Sequence, residues 1–201
     1  MSLYADFKVK DANLPPLDAS SGLKIRQAEE SDLAALVIIA AEREGTTQDI
    51  QHSLLERQLS QQRETDQFTI LVADAQGKIV GFGKCGFFTP PDDAPANVAP
   101  KGWYLMGVIV APTFRRRGVA FQLTQARLQW LARRSSKAYY FANALNHVSI
   151  ELHRKFGFVE ITRNFFFPNT TFNGGEGILF EVDLTNTVSP NTTPEPVPTA
   201  L

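Results

Sequence analysis

The residues best suited to chemistry lie in one stretch, Gly107-Val108-Ile109-Val110-Ala111-Pro112-Thr113-Phe114-Arg115-Arg116-Arg117-Gly118-Val119-Ala120-Phe121. Its pattern predicts a strand, a tight loop and the start of a helix. Gly118 lets main chain come close to a ligand, and Ala120 keeps the first helical turn uncrowded. The first N–H groups of a helix lack intrahelical partners and point outward with the positive end of the helix dipole. Together with the arginines they form a cradle for a phosphate or pyrophosphate. An ordinary basic helix start on a surface would share these features. Two other phosphate loops are excluded, because the chain has neither a Gly-Lys-Ser/Thr of nucleotide triphosphatases nor a three-glycine dinucleotide fingerprint.

Other chemistry is sparse. The single cysteine, Cys85, rules out an intrachain disulfide and a multi-cysteine zinc site. It lies mid-strand without a matched histidine and reads as a core residue. His52, His147 and His153 are too irregularly spaced for a metal cluster, so no metal is expected. Glu42, Glu44, Asp92 and Asp93 are the carboxylates that could serve as a base, although charged side chains are usually solvated surface groups.

The elements that must position these residues alternate between strand and helix. A short strand at Leu23–Ile25 precedes a helix capped by Ser31-Asp32, with an apolar face of Leu33, Leu36, Val37, Ala40 and Ala41. A second helix carries Ile50, Leu54, Leu55 and Leu59. Strands at 68–73 and 78–88 flank an Asp74-Ala75-Gln76-Gly77 turn, and Gly81, Gly83 and Gly86 mark bulges or close backbone approach. A proline-rich loop leads to a central strand at 103–110 and a long helix at 117–134. The core stripe of that helix is Val119, Leu123, Ala126, Trp130 and Leu131. A buried strand at 138–142 comes next, then a short helix at 148–156 opened by Asn146 and closed by Gly157. Strands at 158–167 and 177–183 end the domain, joined through Gly174-Gly175.

Two blocks resemble the GNAT superfamily of N-acetyltransferases. Arg115-Arg116-Arg117-Gly118-Val119-Ala120 is similar to that family's Arg/Gln-x-x-Gly-x-Gly/Ala signature. Asn146-His147-Val148-Ser149-Ile150-Glu151-Leu152-His153-Arg154-Lys155-Phe156-Gly157-Phe158 resembles its Asn-x-x-Ala-Ile-x-Leu-Tyr-x-x-Leu-Gly-Phe block. The resemblance covers residues 23–184. It implies an α/β fold with a mixed, partly parallel sheet, splayed between its fourth and fifth strands and flanked by helices. It implies that acetyl-CoA lies in the split, its pantetheine arm on Val108, Ile109 and Val110 and near Asn146. The pyrophosphate would then rest on the cradle from Arg115, Arg116 and Arg117 through Gly118, Val119, Ala120 and Phe121. His153 stands where the family often has a tyrosine that gives a proton to the departing thiolate, a step an imidazolium could perform. Phe165, Phe166, Phe167, Phe172, Phe87 and Phe88 lie where the acceptor would enter, and strand alternation must turn half of them into the core.

Composition sets the outer bounds. The 201 residues are 43% hydrophobic and 20% charged, as in one folded domain. Residues 1–22 read as an N-terminal extension and 185–201 as a proline-rich tail. A net charge of -1 argues against a global grip on nucleic acid. No segment reads as a membrane span or secretory leader, so a cytoplasmic protein is expected. The expected activity is direct transfer of acetyl to a small-molecule amine, polyamine- or aminoglycoside-like. A peptide or protein acceptor, a non-catalytic acyl-CoA sensor and a homodimeric state stay open.

Overall fold

The computed structural model describes residues 15–172 and 175–185. Seven strands and four helices follow one another as β1 (Leu23–Gln27), α1 (Leu33–Glu44), α2 (Gln48–Glu64), β2 (Phe68–Ala75), β3 (Lys78–Phe88), β4 (Gly102–Val110), α3 (Val119–Ala132), β5 (Lys137–Asn143), α4 (His147–Arg154), β6 (Val159–Thr162) and β7 (Gly177–Asp183). The strands form a single sheet in the order β1-β2-β3-β4-β5-β7-β6. Neighbours are antiparallel throughout except for the parallel pair β4 and β5. This is the mixed, partly parallel sheet expected from the sequence.

Helices cover both faces. On one, Leu36, Val37 and Ala40 of α1 and Leu55 and Leu59 of α2 bury Ile70, Val72 and Phe82. On the other, Leu128 and Leu131 of α3 and Ile150 of α4 pack on Cys85, Leu105, Tyr140 and Phe180. Val119 and Leu123 of α3 continue that layer over Leu71, Ala73 and Val110. The β2–β3 hairpin closes on Gln76 and Gly77, both with positive φ, and Gly77 N–H donates to the Asp74 carboxylate at 2.7 Å.

Local chemistry moves several expected boundaries. Asp32 does not cap α1 with its side chain. Its carboxylate instead accepts both Arg26 Nη atoms, at 2.7 and 2.9 Å, and the Glu29 N–H at 2.8 Å. Helix α3 begins at Val119 rather than Arg117, because Gly118 at φ 87° cannot be helical. Strand β6 stops at Thr162, short of the expected Phe167. Thr162 Oγ1 accepts the Asn164 N–H, and Phe166 leaves the sheet to pair with the loop at Asn97 and Ala99. Residues 15–22 of the N-terminal extension lie against the domain: Leu17 is buried beside Val119 and Leu123, and its N–H donates to the Arg117 carbonyl at 2.8 Å. Residues 1–14, 173–174 and 186–201 fall outside the described residues.

Candidate functional site

The site begins as a gap in the sheet. β4 and β5 share one registered pair, Tyr104 with Tyr139, and then part. Beyond it the β5-facing edge of β4 has no strand partner among the described residues. β4 is also bulged. Gly83 faces Val108 and Lys84 faces Met106, which leaves Gly107 without a partner in β3. Gly107 has φ 22°, is exposed although mid-strand, and has nothing within 4 Å of the place a Cβ would take. Main-chain N–H and C=O groups need partners. An open strand edge therefore suits a ligand arm that carries amides, and Val108, Ile109 and Val110 lie on that edge.

The expected cradle lies at the end of the same strand. Arg116 and Gly118 have φ of 64° and 87°, which turns the loop tightly into α3. The first helical hydrogen bond runs from Gln122 N–H to the Gly118 carbonyl at 3.1 Å, so the amides of Val119, Ala120 and Phe121 precede it. Arg115 and Arg117 brace the loop. Arg115 Nε donates to the Val110 carbonyl at 3.0 Å, and Arg117 Nε to the Pro15 carbonyl at 3.0 Å. Arg116 is exposed. This donor set fits a pyrophosphate: a row of amides at a helix start, beside a glycine whose missing side chain leaves the approach clear.

Helix α4 forms the other wall. Asn146 Oδ1 accepts the Ser149 N–H at 3.3 Å as an N-cap. Phe121 of α3 and Phe156 after α4 meet with ring centroids 4.6 Å apart and bridge the two walls. The expectation of an imidazolium at His153 needs correction. His153 is 2% exposed and lies flat on Tyr140, with centroids 3.6 Å apart. Nδ1 stands 2.8 Å from the Ser149 carbonyl, which fixes the proton on Nδ1. Nε2 is buried with no partner. Burial, helped by the nearby Arg127 charge, pushes the His153 pKa down to about 3. At working pH the ring is neutral, and its remaining nitrogen is an acceptor rather than an acid.

The face of β4 and β5 opposite α3 and α4 is aromatic. Phe88, Tyr139, Phe141, Phe165 and Phe167 surround the buried Tyr104; of these, Phe88, Phe165 and Phe167 are among the phenylalanines that the sequence reading placed toward an acceptor. Phe87 turns to the other face and meets Trp103 edge-on at 5.2 Å. Phe166 is exposed, and Phe172 packs on Phe141 and Phe165. Glu42, Glu44, Asp92 and Asp93 are all exposed.

Sequence reasoning passed over two cations. Lys84 sits beside the bulge, where burial pushes its pKa down and Glu44 opposes that shift. Arg127 occupies the core stripe of α3 that an apolar count assigned to Ala126 and Trp130. Only the glycines of β3, read as points of close approach, pointed toward it. Cys85 is buried and its thiol is pushed up to about 12, as befits a core residue. Among the described residues no three His, Cys, Asp or Glu side chains gather as metal ligands, and no helix is long and apolar enough to cross a membrane.

Comparisons with known proteins agree with this fold. Among curated proteins nothing matches the chain. Solved structures do. A ribosomal-protein-alanine N-acetyltransferase from Brucella melitensis is 24% identical over 80% of this chain and 99% of its own, with a TM-score of 0.58. AAC(6')-Iy, solved in complex with the bisubstrate analogue CoA-S-monomethyl-acetylneamine, is 25% identical over 74% of this chain and 99% of its own, with a TM-score of 0.57. yncA from Salmonella typhimurium, solved with its cofactor acetyl-CoA, is 17% identical over 85% of this chain and 98% of its own, with a TM-score of 0.58. The sequence model of the acetyltransferase (GNAT) family matches residues 34–158, a span that runs from α1 through the parted strands and the helix start to Phe158. A chain that matches over that span and carries the cradle and split where the match lies belongs to the GNAT acetyltransferase family.

Proposed function

We propose that the protein transfers the acetyl group of acetyl-CoA to the primary amine of a small molecule, by direct attack of the amine nitrogen on the thioester carbonyl. The observation that carries this reading is the parting of β4 and β5 after one pair, with the amides of Val119–Phe121 at one end and an aromatic wall on the opposite face. In this reading the edge of Val108, Ile109 and Val110 pairs with the pantetheine amides, and the cradle at Gly118–Phe121 takes the pyrophosphate. Asn146 uses its carbonyl oxygen on Ser149, which leaves its NH2 group to donate to the arm. No metal takes part.

The amine arrives neutral. A C–N bond forms, the C–S bond breaks, and the proton lost by nitrogen passes to the sulfur. No carboxylate stands on β4, and the four acidic candidates lie in solvent, so water carries the proton. His153, neutral and buried, is not its donor. The wall of Phe88, Tyr139, Phe141, Phe165 and Phe167 suits an acceptor with an apolar body. The acetylneamine group of the AAC(6')-Iy complex supports an aminoglycoside- or polyamine-like amine. We place the catalytic unit at residues 23–184 and its action in the cytoplasm.

The test is a panel of polyamines, aminoglycosides, aromatic amines and short peptides, read by thiol release from acetyl-CoA. Release with small amines is the expected result. Coenzyme binding without release on any amine would make the chain a sensor. Release with peptides alone would move the acceptor class to proteins.

A further inference from the structure

Arg127 is 1% exposed, yet none of the carboxylates among the described residues pairs with it. Arginine keeps its charge in proteins and can only donate hydrogen bonds. The charge is met by main chain and a hydroxyl. Nε donates to the Leu123 carbonyl at 3.3 Å and Nη2 to Thr124 Oγ1 at 2.9 Å, both on its own helix. Nη1 faces three carbonyls across the sheet: Met106 at 3.2 Å, and Lys84 and Gly107 at 3.5 Å each. Gly83 makes the room, since a Cβ there would stand 2.9 Å from Nε. Apolar residues in such a place are often as stable as a buried ion or more so. Stability alone therefore does not account for a cation on this stripe.

The three carbonyls flank the bulge. In a regular strand successive carbonyls point to opposite sides, but those of Met106 and Gly107 both reach one nitrogen. All described peptide bonds are trans, and in a trans peptide the N–H points opposite to the C=O. The N–H groups of Gly107 and Val108 therefore both point away from the guanidinium. One side chain thus sets two peptide planes at the point where β4 opens toward the split.

We propose that Arg127 is a positioning residue for acetyl transfer: it fixes the peptide planes of the β4 bulge, and these hold the thioester carbonyl in one reactive orientation. The inference rests on reading the split as the acetyl-CoA site.

The experiment uses acetyl-CoA labelled with carbon-13 at the carbonyl and needs no acceptor. Binding is measured by calorimetry, and the carbonyl resonance reports its polarisation. In the wild-type protein the signal should move from its position in free acetyl-CoA. Arg127→Met should bind within about threefold of wild type, because the cradle and the edge at Ile109 and Val110 are untouched, while its signal returns at least halfway to the free value. A misplacement of this kind is worth on the order of 10²-fold in rate, which turnover on any amine found to be accepted would show as a fall in kcat with little change in KM. Arg127→Lys keeps the charge but loses the fork, and should fall between the two. A Met variant that binds with the wild-type signal overturns the inference alone. So does a signal change that merely follows lost affinity. Wild-type protein that binds no acetyl-CoA overturns the reading of the split as well. Should the Met variant not fold, Arg127→Lys decides by the same comparison: a wild-type signal overturns the inference, and a displaced one supports it.

Discussion

Two polar side chains, Arg127 and His153, are buried on one face of the sheet, and the first helps set the charge of the second. The loss of solvent, aided by the fixed guanidinium, keeps the imidazole neutral, with a pKa of about 3 in the folded protein. The unfolded chain would titrate this group at about 6.5. Between those values the unfolded state binds a proton that the folded state refuses, so stability falls as pH falls. The slope reaches about 1.4 kcal/mol per pH unit once the unfolded histidine is protonated. His153→Phe should lack this component. Urea midpoints from about pH 7 to about pH 5.5, above the range where most carboxylates titrate, measure it: the wild-type midpoint should drop and the variant's should drop less. Parallel curves would mean that the ring reaches solvent. Cys85 offers a simpler check at the same scale. Its thiol, pushed up to about 12, should resist alkylation at pH 8 until the protein is unfolded.

At the scale of elements, the loop into α3 depends on a segment far from it in sequence. Leu17 packs on Val119 and Leu123, and its carbonyl accepts Gln122 Nε2 at 2.6 Å. Leu17→Ala should cost about 2–4 kcal/mol in unfolding free energy and weaken coenzyme binding, both readable by thermal melts with and without acetyl-CoA. Gly118→Val adds a β-branched side chain at φ 87°, a strain of roughly 1–2 kcal/mol. The variant should stay folded and lose at least tenfold in acetyl-CoA affinity by calorimetric titration; unchanged affinity would take the pyrophosphate off this helix start. These elements differed in how plainly the sequence announced them. The bounds of β3 and β7 follow from alternation and flanking turns, and the structure has them at the expected residues. The end of β6 does not, because Phe166 is drawn off by Asn97 and Ala99, partners remote in sequence. The docking of Leu17 was equally hidden, since the composition around it is that of a polar tail.

For the molecule as a whole, the mixed, partly parallel sheet and the parting of its fourth and fifth strands followed from two short blocks and their resemblance to a family, while the order of the strands did not. Local pattern could not supply Arg127. An arginine on a helix counts as surface until its partners are known, and here they are carbonyls on two other elements beside a glycine. For the same reason His153 was legible as a position and not as a state: its spacing from Asn146 sets the helix face, while the stack on Tyr140 and the burial that set its charge come from tertiary packing. The bulge at Gly107 has a further consequence, for self-association. An unpaired strand edge is a template on which another chain can add a strand, and the inner edge of β4 is such an edge. An incoming strand needs a regular ladder of donors and acceptors. Here the carbonyls of Met106 and Gly107 are both turned to the guanidinium and away from the split, so that edge lacks acceptors at these residues, and a φ of 22° breaks the pleat between them. The irregularity that opens the sheet thus also keeps copies of the protein from zipping together through it. Arg127→Met, which no longer holds both carbonyls off the split and lets the strand regain its regular alternation, should show concentration-dependent light scattering that acetyl-CoA suppresses.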